Sequence, residues 1–133
     1  MYEIRVIQSG PIFNGDFERA VDDFTDEAVW AITKVGRGDL GIHFIKNFKH
    51  PAGYYESQVE AVRGALHTFR SHIHDNDVVY GPWLNGTGSR NYPVTRFRGY
   101  PWSVVAAALQ QKAVPIAEGV LPPFLARMRG GAA

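Results

Sequence analysis

Between residues 17 and 35, Phe17, Ala20, Val21, Phe24, Ala28, Ala31, Ile32 and Val35 recur at intervals of three and four. At 3.6 residues per turn all eight fall on one stripe, so this segment must be an amphipathic helix with one face in a core. Asn14 or Asp16 supplies a side-chain oxygen for the unpaired amides of its first turn. Asp16, Glu18, Asp22, Asp23 and Asp26 crowd its amino-terminal half, where the helix macrodipole favours anions. Gly36 and Gly38 weaken the helix, each by about 1 kcal/mol against Ala. Leu40, Phe44, Ile45 and Phe48 then resume the stripe, and the residue before Pro51 ends it. The pattern predicts one long helix with a soft point, or two helices in near continuity.

Around this helix the periodicity changes. Residues 2–9 alternate, with Tyr2, Ile4 and Val6 opposite Glu3 and Arg5, which predicts a half-buried strand closed by Gly10-Pro11. Residues 54–63 and 67–74 read as two more strands. Asp75-Asn76 is turn chemistry and predicts a hairpin into a further strand at residues 78–80. From Trp102 to Met128 the spacing is helical again, with Pro115 expected to kink the helix and Pro122-Pro123 to break or restart it. The expected fold is α+β: about four mostly antiparallel strands packed by a long amino-terminal helix and a carboxy-terminal helix. Residues 1–129 form one domain with a long loop at about 81–101, and residues 130–133 a loose tail.

The chain has 133 residues, enough for one core without staples, and no cysteine, so neither disulfides nor a thiolate metal cage. Its longest apolar run, residues 104–109, is far too short to span a bilayer, and Glu3 and Arg5 break up the start as a signal peptide would not. A soluble protein made in a reducing cytoplasm is expected. The net charge of +1 hides an asymmetry: residues 1–85 sum to −4 and residues 86–133 to +5. An acidic and a basic face on one subunit suit head-to-tail packing.

Residues 80–102, YGPWLNGTGSRNYPVTRFRGYPW, carry six aromatics, three arginines and no acid. Trp, Tyr and Arg dominate protein–protein hot spots. Tyr80, Trp83, Leu84 and Trp102 are expected to anchor this loop. Arg90, Asn91, Thr95, Arg96, Phe97, Arg98 and Tyr100 are expected to project towards a partner. Arginines interleaved with aromatics also resemble a nucleic-acid stacking platform, but three arginines and a sequence pI near 8.1 are thin for one.

Catalytic patterns are sparse. His72-x-His74 would project two imidazoles from one strand face, near Asp75 and Asp77, without a third ligand at convincing spacing. Gly36-x-Gly38-x-x-Gly41 matches a dinucleotide fingerprint in letters only, because it lies inside a helix. Gly86-x-Gly88 lacks the Lys and Ser/Thr of a phosphate cradle. No catalytic residue, metal or cofactor is expected.

Three stretches resemble the tail-component, or neck protein, family of long-tailed double-stranded DNA phages. The first is Pro51-Ala52-Gly53-Tyr54-Tyr55-x-Ser57. The second is Tyr80-Gly81-Pro82-Trp83-Leu84 with Gly86, Ser89-Arg90-Asn91, Thr95-x-Phe97 and Gly99-Tyr100. The third is Ile116-Ala117-Glu118-x-Val120-Leu121-Pro122-Pro123-Phe124-Leu125-x-Arg127-Met128. The match departs at Asn85, where related sequences carry an acid. The resemblance implies a virion structural protein, not an enzyme. It implies a ring, of six copies, stacked between head-closure and tail-terminator rings around the channel that DNA crosses. On this reading Asp16, Glu18, Asp22, Asp23 and Asp26 would meet the basic carboxy-terminal half of a neighbouring subunit. A tail terminator, a nucleic-acid-binding module and a metal-dependent hydrolase using His72, His74 and Asp75 are the rival readings.

Overall fold

Helix α1 runs Gly15–Asn47, 33 residues without a break, in a computed structural model that describes residues 2–5, 15–48, 53–88, 91–93 and 95–129. At 1.5 Å per residue it is about 50 Å long. Helix α4, Trp102–Met128, lies antiparallel along it. The direction follows from the contacts. Phe44 meets Trp102 near one end, Asp39 meets Lys112 further along, and Phe24 meets Phe124 near the other. The soft point expected at Gly36 is a packing site instead. A Cβ there would lie 2.8 Å from the Leu109 side chain, so the missing side chain lets α4 come close. Helix α4 passes through Pro115, Pro122 and Pro123.

Among the described residues the sheet has three strands, β1 Tyr2–Arg5, β2 Glu60–Arg63 and β3 Arg70–His74, in the order β1-β3-β2 and antiparallel throughout. Strand β3 is central, pairing Ala61 with Ile73 on one side and Ile4 with Ser71 on the other. Its alternation sends Ser71 and Ile73 into the core and leaves His72 and His74 on the opposite face. The remainder of the strand expected at residues 2–9 lies outside the described residues.

Three strand expectations fail, as does the break expected at Pro122-Pro123, which α4 passes through. The strand expected over residues 67–74 begins only at Arg70, because His67 and Phe69 take left-handed φ of 60° and 57°. Residues 54–63 do not form one strand: they begin as a short helix α2, Tyr54–Gln58, and only Glu60 onward is extended. The helix turns Tyr55 inward, where its ring meets Phe44 edge-on at 5.1 Å. Residues 78–80 are not a strand either, which makes the sheet three-stranded rather than four. Both edges of β3 are already taken, so a segment turning back from β3 finds no free edge on that strand. Asn76 and Asp77 adopt left-handed φ of 55°, and Val79 is 95% exposed. The chain then enters helix α3, Gly81–Asn85, with Pro82 in its first turn, where a missing N–H costs nothing.

The core sits where α1, α4 and the sheet meet. Phe44, 2% exposed, is its hub, stacked on Phe48 at 5.2 Å and touching Tyr55 and Trp102. Leu40, Val59, Ile73 and Val105 complete the cluster. No described helix is long and apolar enough to cross a membrane.

Candidate functional site

A chain of aromatic rings runs outward from this hub. Phe48 meets Tyr100 at 5.5 Å, Tyr100 meets Phe97 edge-on at 5.5 Å, and Phe97 stacks on Trp83 at 4.1 Å. On the other side Tyr55 meets Tyr80 at 6.1 Å. The segment after α3 is therefore tied to the core through side chains, although its described residues form neither helix nor strand.

Backbone and polar contacts close it. Tyr100 N donates to Leu84 O at 2.6 Å and Tyr92 N to Phe97 O at 2.9 Å. Gly86 and Gly99 take left-handed φ of 89° and 80° and press backbone against backbone, leaving no room for a Cβ on either. Asn85, the departure from the phage pattern, caps α4: its Oδ1 accepts from Trp102 N at 2.8 Å. An aspartate there could cap the helix in the same way. His43 Nε2 lies 3.2 Å from Tyr100 O, and Asn47 Nδ2 lies 3.1 Å from His43 Nδ1. A carbonyl only accepts, so the neutral ring carries its proton on Nε2.

The anchors divide. Trp102 is 4% exposed and Leu84 packs against the core, whereas Tyr80 and Trp83 are partly open, Trp83 at 39%. Trp83 holds the loop by stacking rather than by burial. The contact residues divide too. Asn91, expected to face a partner, is 3% exposed. Its Nδ2 donates to Trp83 O at 2.9 Å and Phe97 O at 3.3 Å, and its Oδ1 accepts from Gly88 N at 2.8 Å. It is the loop's internal latch. Phe97 and Tyr100 are half-buried in the aromatic chain. Thr95, Arg96 and Arg98 are exposed, and the Arg98 guanidinium lies 4.1 Å over the exposed Tyr92 ring. Arg90 lies outside the described residues.

The acidic face resolves in the same way. Asp16 pairs with Arg19. Asp23 takes Arg127 Nη2 at 2.8 Å on one oxygen and His67 Nε2 at 2.8 Å on the other. Asp26 is buried and accepts from His67 N at 3.0 Å. Part of the acid–base meeting expected between subunits thus occurs inside one chain. Hydrogen bonds from His67 and Arg127 hold the Asp23 carboxyl below its ordinary range, and the bond to Asp23 raises His67. Nothing near His67 in the chain signals this clamp, because its partners lie far away in sequence.

Among the described residues no group of three His, Asp or Glu is placed to hold a metal. His74 Nδ1 accepts from Asn76 N, and its Nε2 lies 3.8 Å from Glu60. Tyr55 donates to Asp75 Oδ2 at 2.9 Å, and burial with that carboxylate raises its pKa well above an ordinary phenol. It stays protonated, a donor and not a base. An apolar cleft of about 340 Å³ lies among Ile32, Gly36, Leu40, Trp102, Val105 and Leu109, with Glu3 and Gln110 as its polar lining.

No protein-family model matches this chain, and neither the curated proteins nor the solved structures contain a match to it.

Proposed function

We propose that the chain is a structural component of a phage virion, a neck protein that joins copies of itself into a ring at the head–tail junction. The ring, of six copies, would stack between head-closure and tail-terminator rings, with DNA passing through its channel. The protein would be made in the host cytoplasm and carry no catalysis.

One observation carries this reading. The loop at residues 86–100 is latched from within by Asn91 and by the Trp83–Phe97 stack, yet offers Tyr92, Arg96 and Arg98 outward. Ordering such a loop before binding lowers the entropy lost on association. Exposed Tyr and Arg at its tip are the residue types that dominate interface energies. The stretches that resemble the phage family include the Trp83, Asn91, Phe97, Gly99 and Tyr100 of this arrangement.

Electron microscopy of tails carrying Arg96→Glu/Arg98→Glu tests it. Necks should be missing or misassembled, and infectivity should fall. Normal necks and normal infectivity would refute the role assigned to the loop.

A further inference from the structure

Among the described charges that form no ion pair, four are set two and two at opposite ends of the molecule. At one end of α1, Glu18 and Asp22 form no ion pair among the described residues, while Asp16, Asp23 and Asp26 are occupied. Four residues apart, Glu18 and Asp22 share one face of the helix. At the other end, Arg96 and Arg98 are exposed and form no ion pair among the described residues. The Arg98 guanidinium lies 4.1 Å over the Tyr92 ring, and a guanidinium on an aromatic face can still offer N–H donors to a carboxylate.

These charges cannot satisfy one another in a single molecule. The loop is fixed to α1 at His43, 25 residues along the helix from Glu18. At 1.5 Å per residue that is about 38 Å, several times the reach of an arginine side chain. The macrodipole accounts for an acid in the first turn, but Asp22 lies beyond it.

We propose that the chain meets a second copy of itself head to tail, with Arg96 and Arg98 of one copy seated on Glu18 and Asp22 of the next. The inference rests on the ring-forming reading and names the two surfaces that make the joint. The two surfaces differ, so the contact is heterologous: it closes into a ring or propagates as a filament, and does not stop at a two-fold dimer. Four charges near the surface make it sensitive to salt, with screening over about 8 Å at physiological ionic strength.

Charge exchange tests the pairing. Arg96→Glu/Arg98→Glu and Glu18→Lys/Asp22→Lys are each compared with the wild type by native mass spectrometry and sedimentation velocity at low salt. Circular dichroism checks that each variant is folded. Glu18→Lys alone serves if the change at the half-buried Asp22 disturbs the fold. Each variant alone should self-associate at least about tenfold more weakly. An equimolar mixture should recover association, because every joint can then pair opposite charges. Its assemblies should alternate the two variants and contain even numbers of subunits. If both variants associate as the wild type does, the joint lies elsewhere and the inference fails while the ring reading stands. If only the loop variant is impaired, or the mixture does not recover, the loop binds some other anion and the inference fails. A wild-type chain that stays monomeric and is absent from particles would overturn the ring reading as well.

Discussion

Asp23 and Arg127 stand 104 positions apart in sequence and 2.8 Å apart in space. Their contact fastens the amino-terminal end of α1 to the carboxy-terminal end of α4, where the core cluster around Phe44 does not reach. His67, from the turn between β2 and β3, takes the other oxygen of the same carboxylate. Three elements are thus held by one side chain.

This clamp should work in a window of pH. Asp23 is held below its ordinary 3.8, so its contribution is full above that value and is lost as pH falls through the lower folded pKa. His67 is raised above 6.5, so its contribution is full below 6.5 and is lost as pH rises through the folded pKa. Melting temperatures of wild type and His67→Gln, compared across pH, should differ most between about pH 4 and 6.5. The difference should narrow at alkaline pH, where the neutral ring keeps at most one N–H donor for Asp23. A difference independent of pH would mean that His67 acts by packing alone.

Asn91→Ala should destabilise by about 1–2 kcal/mol, because Gly88 N and the Trp83 and Phe97 carbonyls lose a buried partner together. Limited proteolysis should cut within residues 86–100 sooner than in the wild type. Arg96→Ala, at an exposed position, should change stability by no more than about 0.5 kcal/mol and leave the proteolysis pattern as in the wild type.

Two glycines two residues apart should respond in opposite directions. A Cβ at Gly38 meets nothing within 4 Å, so Gly38→Ala should stabilise by about 0.5–1 kcal/mol through helix propensity. Gly36→Val should destabilise by about 1–3 kcal/mol, because Leu109 occupies the space. Denaturant midpoints measure both.

Phe44→Ala should cost about 3–5 kcal/mol, the range for removing a buried aromatic ring. Ile42→Ala and Ile45→Ala, on the exposed side of the same helix, should cost little in the isolated chain. Urea unfolding separates the two classes.

The helices were legible in the sequence because their spacing repeats over many turns. The eight apolar residues from Phe17 to Val35 fix α1 locally, and Trp102, Val105 and Leu109 do the same for the start of α4. The sheet was less legible because strand pairing depends on which edges are free. Nothing near Val78 says that β3 is already flanked by β1 and β2. At the loop, the anchoring role of Trp102 could be read from its place at the head of a helical stripe. The inward turn of Asn91 could not, since an asparagine among Gly and Ser is also ordinary turn chemistry. The Asp23 clamp was hidden for a third reason: its partners come from three elements distant in sequence.

The Gly86–Gly99 contact separates two kinds of change. Below it, the ends of the loop are held by backbone groups and by the Leu84–Tyr100 hydrogen bond, which depend on no side chain at the tip. Above it, the exposed Arg96 and Arg98 can be exchanged without disturbing how α3 hands over to α4, whereas Asn91 and Phe97 reach back to Trp83. A lineage could therefore rewrite what this tip recognises while inheriting the scaffold unchanged, like a key blank recut for another lock.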